Sequence, residues 1–463
     1  MKMFLFTALG CALSFVSLAQ DETNIRKIFD ESLSNGASYE NLTHLCKDIG
    51  HRLSGSENAE KAVEWGFEVL SGMGLDKVYK QEVMVPHWVR GNIEEATIEN
   101  SARIGTKPMK IFALGGSEGT PKTGIRANVV MVNNFEELEQ LGEEGVTGKI
   151  VFYNRPMDEK LINTFAAYGG CVDQRWKGAI EAVKYGAVAV LVRSLTHKED
   201  NHPHTGSMGY PEWGERIPAA AVSIEDANAL EEVIKAEGTA QVMMKLNCRS
   251  MPDVLSHNVI GEITGSVYPD SVILVGGHLD SWDVGEGAHD DGAGVVHSIE
   301  VLRLLKAIGY QPRFTIRCVL FMNEENGNRG GKKYAELAKI NQEYHYFALE
   351  SDRGGFTPRG FSIDTKLEQD VQQIAAFKSL LEPYGLHVFE AGYAGVDIGP
   401  LKDVQDTITM AGFIPDSQRY FDHHHAETDV LEAVNKRELE LGAAAMASLI
   451  YLIDKHGLDS RED

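Results

Sequence analysis

The chain has 463 residues, more than one hydrophobic core usually organises, so two domains are expected. Its composition, 43% hydrophobic and 24% charged, is that of an ordinary soluble globular protein. Lysine and arginine number 44 against 68 acidic residues, a formal charge of -24; such a field repels phosphate backbones and, with no basic patch, excludes nucleic acid as a partner.

Residues 1–19 have a basic start at Lys2, an apolar middle and small residues at Ser17 and Ala19, the pattern of a secretory signal cut after Ala19. Lipoprotein processing at Cys11 is the weaker alternative, because Ala8, Leu9 and Gly10 fit that signal poorly. No later apolar run is long enough to span a bilayer, so a protein that is secreted or periplasmic is expected. It would keep Cys46, Cys171, Cys248 and Cys318. Their spacing leaves several disulfide pairings, and none, open. Cys318 sits in an apolar run and reads as core.

Residues 20–96 read as the opening layer of a catalytic domain. Leu42, Leu45 and Ile49, then Ala59, Val63, Phe67 and Leu70, repeat at helical spacing, and 79–95 is extended. Over 97–249 the texture changes to short apolar strands at 146–153, 182–192 and 217–223, with brief helical pieces such as 224–236, the grammar of a β-rich insert. His202-Pro-His204-Thr-Gly is its one histidine pair of interest, and a surface loop and a substrate-facing loop are both open readings. From 250 to 463, strands at 258–263, 272–276, 314–322 and 346–350 alternate with helices at 292–308, 331–340, 371–381 and 431–453. That alternation predicts an α/β fold, a mostly parallel (mixed) sheet sandwiched by helices.

The chemistry concentrates in 275–297, VGGHLDSWDVGEGAHDDGAGVVH. A buried strand would end at His278, and in open α/β sheets ligands gather at the carboxyl ends of strands. Asp280 stands two residues on, close enough to orient a ligating histidine. Asp290 and Asp291 open a helical pattern, where carboxylates also serve the helix dipole. Three further junctions bring Glu324 and Glu325, then Glu350 and Asp352, then His423, His424 and His425 with Asp429. Each alone has a dull explanation. Four successive junctions delivering imidazole and oxygen donors toward one sheet edge point to a zinc-like divalent ion, with no need for thiolates.

The blocks GGHLDSWDVGEGAHDDGAG, NEENG, LESD and HHHAETD, in this order, resemble those of the secreted co-catalytic zinc exopeptidases, and 97–249 resembles the protease-associated domain inserted in secreted hydrolases. The resemblance implies two zinc ions. His278 and Asp352 would hold one, Glu325 and His425 the other, with Asp290 bridging. Glu324 falls at the general base. Asp280 and Asp429 fall where carboxylates orient His278 and His425, and the spacing to Asp429 selects His425 over its two neighbours. Val430 stands where the family has threonine. The implied activity is hydrolysis of dipeptides or short peptides by a metal-bridged hydroxide, with Glu324 as base. Dimers occur among the proteins it resembles, so a homodimer is the assembly the resemblance allows. Two other readings stand beside it. One is an aminoacyl cyclase of the same fold, which would use one zinc. The other is a non-catalytic binding protein on a peptidase scaffold, which should have lost ligands or base. Loops around Trp282, 393–397 and His204 are expected to line the cleft.

Overall fold

Strands are buried along most of their length only where both faces are covered, and four such strands form the centre of this molecule. Phe314–Phe321, Tyr268–His278, Tyr344–Glu350 and Thr409–Pro415 lie side by side in that order, all parallel. The structure, a computed structural model, describes residues 3–212, 214–458 and 460, with the side chains of the first helix, Met3–Asn35, described from residue 19 onward. The leader expected over 1–19 thus falls almost wholly outside the described side chains.

Antiparallel strands extend the sheet on both sides. Arg249–Ile263 and then Lys77–Val89 follow Phe314–Phe321 outward. Pro358–Asp364 follows Thr409–Pro415, and Val388–Ala391 closes that edge. The eight strands make the mixed, centrally parallel sheet that the sequence predicts. Alternation along each strand feeds two cores. Ile273 and Val275 join one apolar cluster with Val295, Leu302 and the alanines of the last helix, whereas Val272 and Leu274 join another with Tyr334 and Ala338. Helices Ala293–Ala307 and Lys436–His456 therefore cover one face, and Arg329–Asn341 the other.

Two helices differ from the sequence reading. The last was expected from 431, but Leu431–Ala433 is an isolated tight turn, and the helix starts at Lys436 because the Asn435 side chain caps the amides of Arg437 (2.9 Å) and Glu438 (3.2 Å). The helix expected over 371–381 is two, Glu368–Ala376 and Lys378–Leu381.

A second eight-stranded sheet occupies Glu94–Leu246. Its strands Ile125–Val132, Ile150–Tyr153, Ala189–Arg193 and Ala219–Val222 are parallel neighbours, and helices Phe135–Val146 and Gly178–Val183 connect them. The segment therefore carries more α/β character than a simple β-rich module. The four cysteines are buried free thiols. Among the described residues no helix is long and apolar enough to cross a membrane.

The loop after the strand ending at His278 is anchored from below. Arg52 is fully buried, and its guanidinium donates to the carbonyls of Leu279 (2.9 Å), Gly50 (3.2 Å), Glu286 (2.6 Å) and Gly287 (2.9 Å). Replacing it leaves those acceptors unpaired in a dry interior. Arg52→Met, which keeps the stem and removes the donors, is expected to cost roughly 3–5 kcal/mol in urea unfolding; a loss under about 1 kcal/mol would mean that the carbonyls find other partners.

Candidate metal centre

The expected residues converge at the carboxyl ends of the four parallel strands. His278 is the last residue of its strand; Glu324 and Glu325 follow Phe321; Asp352 follows Glu350; His425 follows Pro415 by a longer loop. His278, Asp290 and Glu325 are buried, and Asp352 is partly so.

His278 Nδ1 lies 2.9 Å from the carbonyl of Asp280, so with Nδ1–H donating, the Nε2 lone pair is left for the site. That Nε2 is 3.3 Å from Asp290 Oδ1 and 3.6 Å from Asp352 Oδ1. The other Asp290 oxygen, Oδ2, is 3.2 Å from His425 Nε2, which is also 3.2 Å from Glu325 Oε2. Asp290 thus faces a histidine with each oxygen. Donor atoms of His278, Asp290 and Asp352 lie within 4.8 Å of one another, as do those of Asp290, His424 and His425. His424 stacks on His425 at 3.6 Å between ring centroids, with its Nε2 3.8 Å from Asp290 Oδ2.

These residues fit a metal. His278 Nε2, Asp290 Oδ2 and Glu325 Oε1 are buried without a hydrogen-bond partner among the described residues. The contacts to Asp290 Oδ2 are of ion-pair length but off the hydrogen-bond line. Orphaned buried polar atoms are costly unless something supplies the missing partner. Imidazole and carboxylate donors together suit a zinc-like ion.

The charges agree. Burial would push Asp290 up, but close contact with His278 and His425 outweighs it and holds the carboxyl well below the usual range. Burial would lower His425, yet Glu325 and Asp290 raise it to about 9. Burial and the charge of Asp290 raise Glu325 to about 7. Burial, with Asp352 and Glu325 beside it, drives Glu324 well above the ordinary carboxylate value.

Carboxylates also hold the loops that carry the donors. Asp280 Oδ1 accepts from the amides of Asn323 (2.7 Å) and Glu324 (3.0 Å), and Oδ2 from Glu325 (3.3 Å). Asp280 therefore orients His278 through its backbone carbonyl and the Glu324 loop through its side chain. Asp291 accepts from the amides of His278 (3.0 Å) and Gly294 (2.9 Å), joining strand end to helix start. Glu350 accepts from Val396 and Ile398, each at 2.8 Å. The expectation that Asp429 orients His425 is corrected: its oxygens accept from the amides of His289 (2.7 Å) and Asp290 (3.1 Å), so it steadies the bridging aspartate instead.

His425 is oriented from the second sheet. Its Nδ1 is 3.2 Å from the carbonyl of Thr205, and its own carbonyl accepts from the Thr205 amide at 3.0 Å. His204 Nδ1 reaches the carbonyl of His424 at 2.7 Å. The next residue must be glycine: Gly206 has φ +135, and a Cβ there would lie 2.7 Å from His425 Nδ1 and 2.5 Å from Arg175 Cζ. His425 itself has φ +61 and Asn323 φ +77, left-handed conformations that non-glycine residues adopt at a cost of about 1–3 kcal/mol each.

A cavity of about 1000 Å³ opens over the centre, with Glu324, Tyr168, Arg175, Arg353, Tyr393 and Tyr420 among its walls. Of the loops expected to line it, 393–396 does so, and the His204 segment reaches it at Ser207. Trp282 and His204 are buried behind it, Trp282 with its ring 5.8 Å from that of His425. Sequence reasoning missed Thr205 as an orienting group, because backbone carbonyls leave no mark in a sequence. It also missed Arg353, although that residue adjoins Asp352, and Arg175, which nothing in its surroundings signals.

With this geometry in hand, comparisons identify relatives. Residues 258–450 match the model of peptidase family M28. The chain is 39% identical over 419 residues to carboxypeptidase Q of Bos taurus, covering 90% of this chain and 85% of that one. A solved peptidase M28 precursor from Shewanella amazonensis superposes with a TM-score of 0.88 at 31% identity, covering 94% of this chain and 97% of that chain. A zinc aminopeptidase from Bacillus subtilis shares the fold, with a TM-score of 0.65 at 20% identity, over 90% of this chain and 95% of that chain.

The protonated site sets a pH dependence for the metal-free protein. His425, raised to about 9, contributes stability that is full below its unfolded value of about 6.5 and lost as pH rises through 9. Glu325, raised to about 7, acts in the same sense, with its contribution lost as pH rises through 7. Asp290 acts oppositely, but its window lies at more acid pH. Calorimetry should show the metal-free melting temperature falling between about pH 6 and 9, with a flatter profile when metal occupies the proton-binding atoms. A metal-free protein that gains stability over that span would contradict a proton-filled site.

Proposed function

This chain belongs to peptidase family M28 and is a metallo-exopeptidase, and on that premise we propose that it hydrolyses dipeptides or short peptides, with Glu324 as general base and two zinc ions. His278, Asp290 and Asp352 would hold one ion, and Asp290, Glu325 and His425 the other. The observation that carries this reading is the position of Asp290, each of whose oxygens faces a different histidine. Bound there, the ions would acidify water and polarise a peptide carbonyl.

The protein's own groups do the rest. Glu324 lines the cavity, and Asp280 fixes its amide. Burial raises its carboxyl above the ordinary carboxylate value, and a carboxylate in this position would accept a proton from water and return it to the leaving amine. Tyr168 and Tyr420 line the same cavity. The same reading takes residues 1–19 as a leader removed on secretion, 97–249 as an inserted domain, and 20–96 with 250–463 as the catalytic unit. The cyclase alternative is disfavoured by two donor sets sharing one aspartate, and the binding-only alternative by the retention of Glu324 and all five ligand positions.

Glu324→Gln is the decisive variant. It should keep two zinc equivalents by plasma mass spectrometry and lose roughly 10²–10⁴ in kcat on a dipeptide. Chelation should abolish wild-type hydrolysis, and zinc should restore it. Full activity in the glutamine variant would remove the base assignment; a single metal per chain would revive the cyclase.

A further inference from the structure

The cavity over the centre has an apolar lip. Ile162 is 87% exposed and Tyr393 56% exposed, and both line that cavity, as does Val388 on the edge strand. Single exposed apolar residues are common, but the backbone of these two is pinned at the rim. The carbonyl of Ile162 accepts from Gln418 Nε2 at 2.8 Å, and two residues on, Thr164 Oγ1 donates to the carbonyl of Ser417 at 3.0 Å. The carbonyl of Tyr393 accepts from Arg353 Nη2 (2.9 Å) and from Ser362 Oγ (2.7 Å). An apolar rim held open over a cavity is a surface that a ligand covers.

Behind the lip the wall is aromatic, and it leads to a metal donor. His424 stacks on His425 at 3.6 Å between centroids, Tyr168 meets His424 edge-on at 5.2 Å, and Phe421 stacks on Tyr168 at 4.8 Å. Phe165 lies 5.0 Å from Phe421 and 5.2 Å from Tyr420. Phe165 and Tyr168 stand three residues apart on helix Thr164–Gly169 and so share a face. The lip and this wall are close, because one guanidinium touches both: Arg353 donates to Tyr393, and its Cζ lies 5.4 Å from the Phe165 centroid. Tyr393 itself has no ring partner among the described residues.

Every peptide has chain ends, so substrates differ from one another in their side chains. Any large apolar side chain would gain by burial against this wall, and an aromatic one gains more. Ring pairs are favoured beyond the area they bury, and a guanidinium attracts a ring face but not an aliphatic chain. We propose that Ile162, Phe165 and Tyr393 form a subsite for a large aromatic side chain of the substrate, so that residues 97–249 help to set side-chain preference. This rests on the exopeptidase reading above and deepens it from peptides in general to a type of residue.

The test measures kcat/KM of the zinc-loaded enzyme on dipeptides of glycine with phenylalanine, leucine or serine, each in both orders. In one order phenylalanine should exceed leucine by about 3- to 10-fold and serine by about 10- to 100-fold. Phe165→Leu, which keeps apolar bulk without the ring, should bring the ratio of phenylalanine to leucine toward one. Ile162→Ser, at an exposed position where folding is not at stake, should lower phenylalanine and leucine alike against serine, mainly through KM. Zinc content and melting temperature are measured on each variant, so a folding defect is seen as such. Phenylalanine no better than leucine in either order, or ratios that neither substitution moves, would overturn the subsite and leave the exopeptidase reading standing. Hydrolysis of none of these dipeptides would fail that reading and take the subsite with it.

Discussion

The structure depends on one constraint: a carboxylate, Asp290, buried between two histidines, each close to a different one of its oxygens. A group so placed is shut off from bulk water. Every nearby element serves that requirement. Asp429 holds its amide, Asp291 ties the following helix to the strand that delivers His278, and Arg52 fixes the intervening loop through three carbonyls. Close packing reaches the same point, for a Cβ at Gly294 would meet the Ser351 carbonyl at 1.9 Å. The central sheet is a platform whose strand ends set the spacing of the donors.

Much of this was legible in the sequence because the platform is periodic and the donors sit at its interruptions. Strand-like runs ending near His278, Phe321 and Glu350, spaced by helical patterns, marked both the parallel sheet and the edge where ligands gather. What escaped was what has no side-chain signature. The start of the last helix depended on a cap at Asn435 rather than on apolar spacing. The partner of His425 is a backbone carbonyl, and any residue at 205 could have supplied one. Asp429 stood at the expected distance in the chain, yet it turns to two amides of the Asp290 loop, a choice made by tertiary packing. The insert showed its strands, but the crossovers that make four of them parallel join distant segments that local pattern does not relate.

A second theme is the use of acidic groups in two capacities. Asp290, Glu325 and Asp352 keep oxygens free of backbone amides and so retain donor capacity. Asp280, Asp291, Glu350 and Asp429 spend theirs on amides and so become braces. Identical chemistry thus divides by geometry alone, which is why counting carboxylates in a motif overstates the number of ligands.

The hold of Thr205 on His425 crosses 220 residues of chain and joins the two sheets. A histidine aimed by a neighbour in its own loop would keep its direction through small excursions of the rest of the molecule. This one is aimed only while the two halves are docked. Assembly of the centre is therefore non-local, because the last imidazole lies near the chain's end and its orienting group 220 residues earlier. Ion retention then reports on the docked state: a lesion that merely loosened the seam between the sheets would first be seen as lost metal, well before either sheet melted.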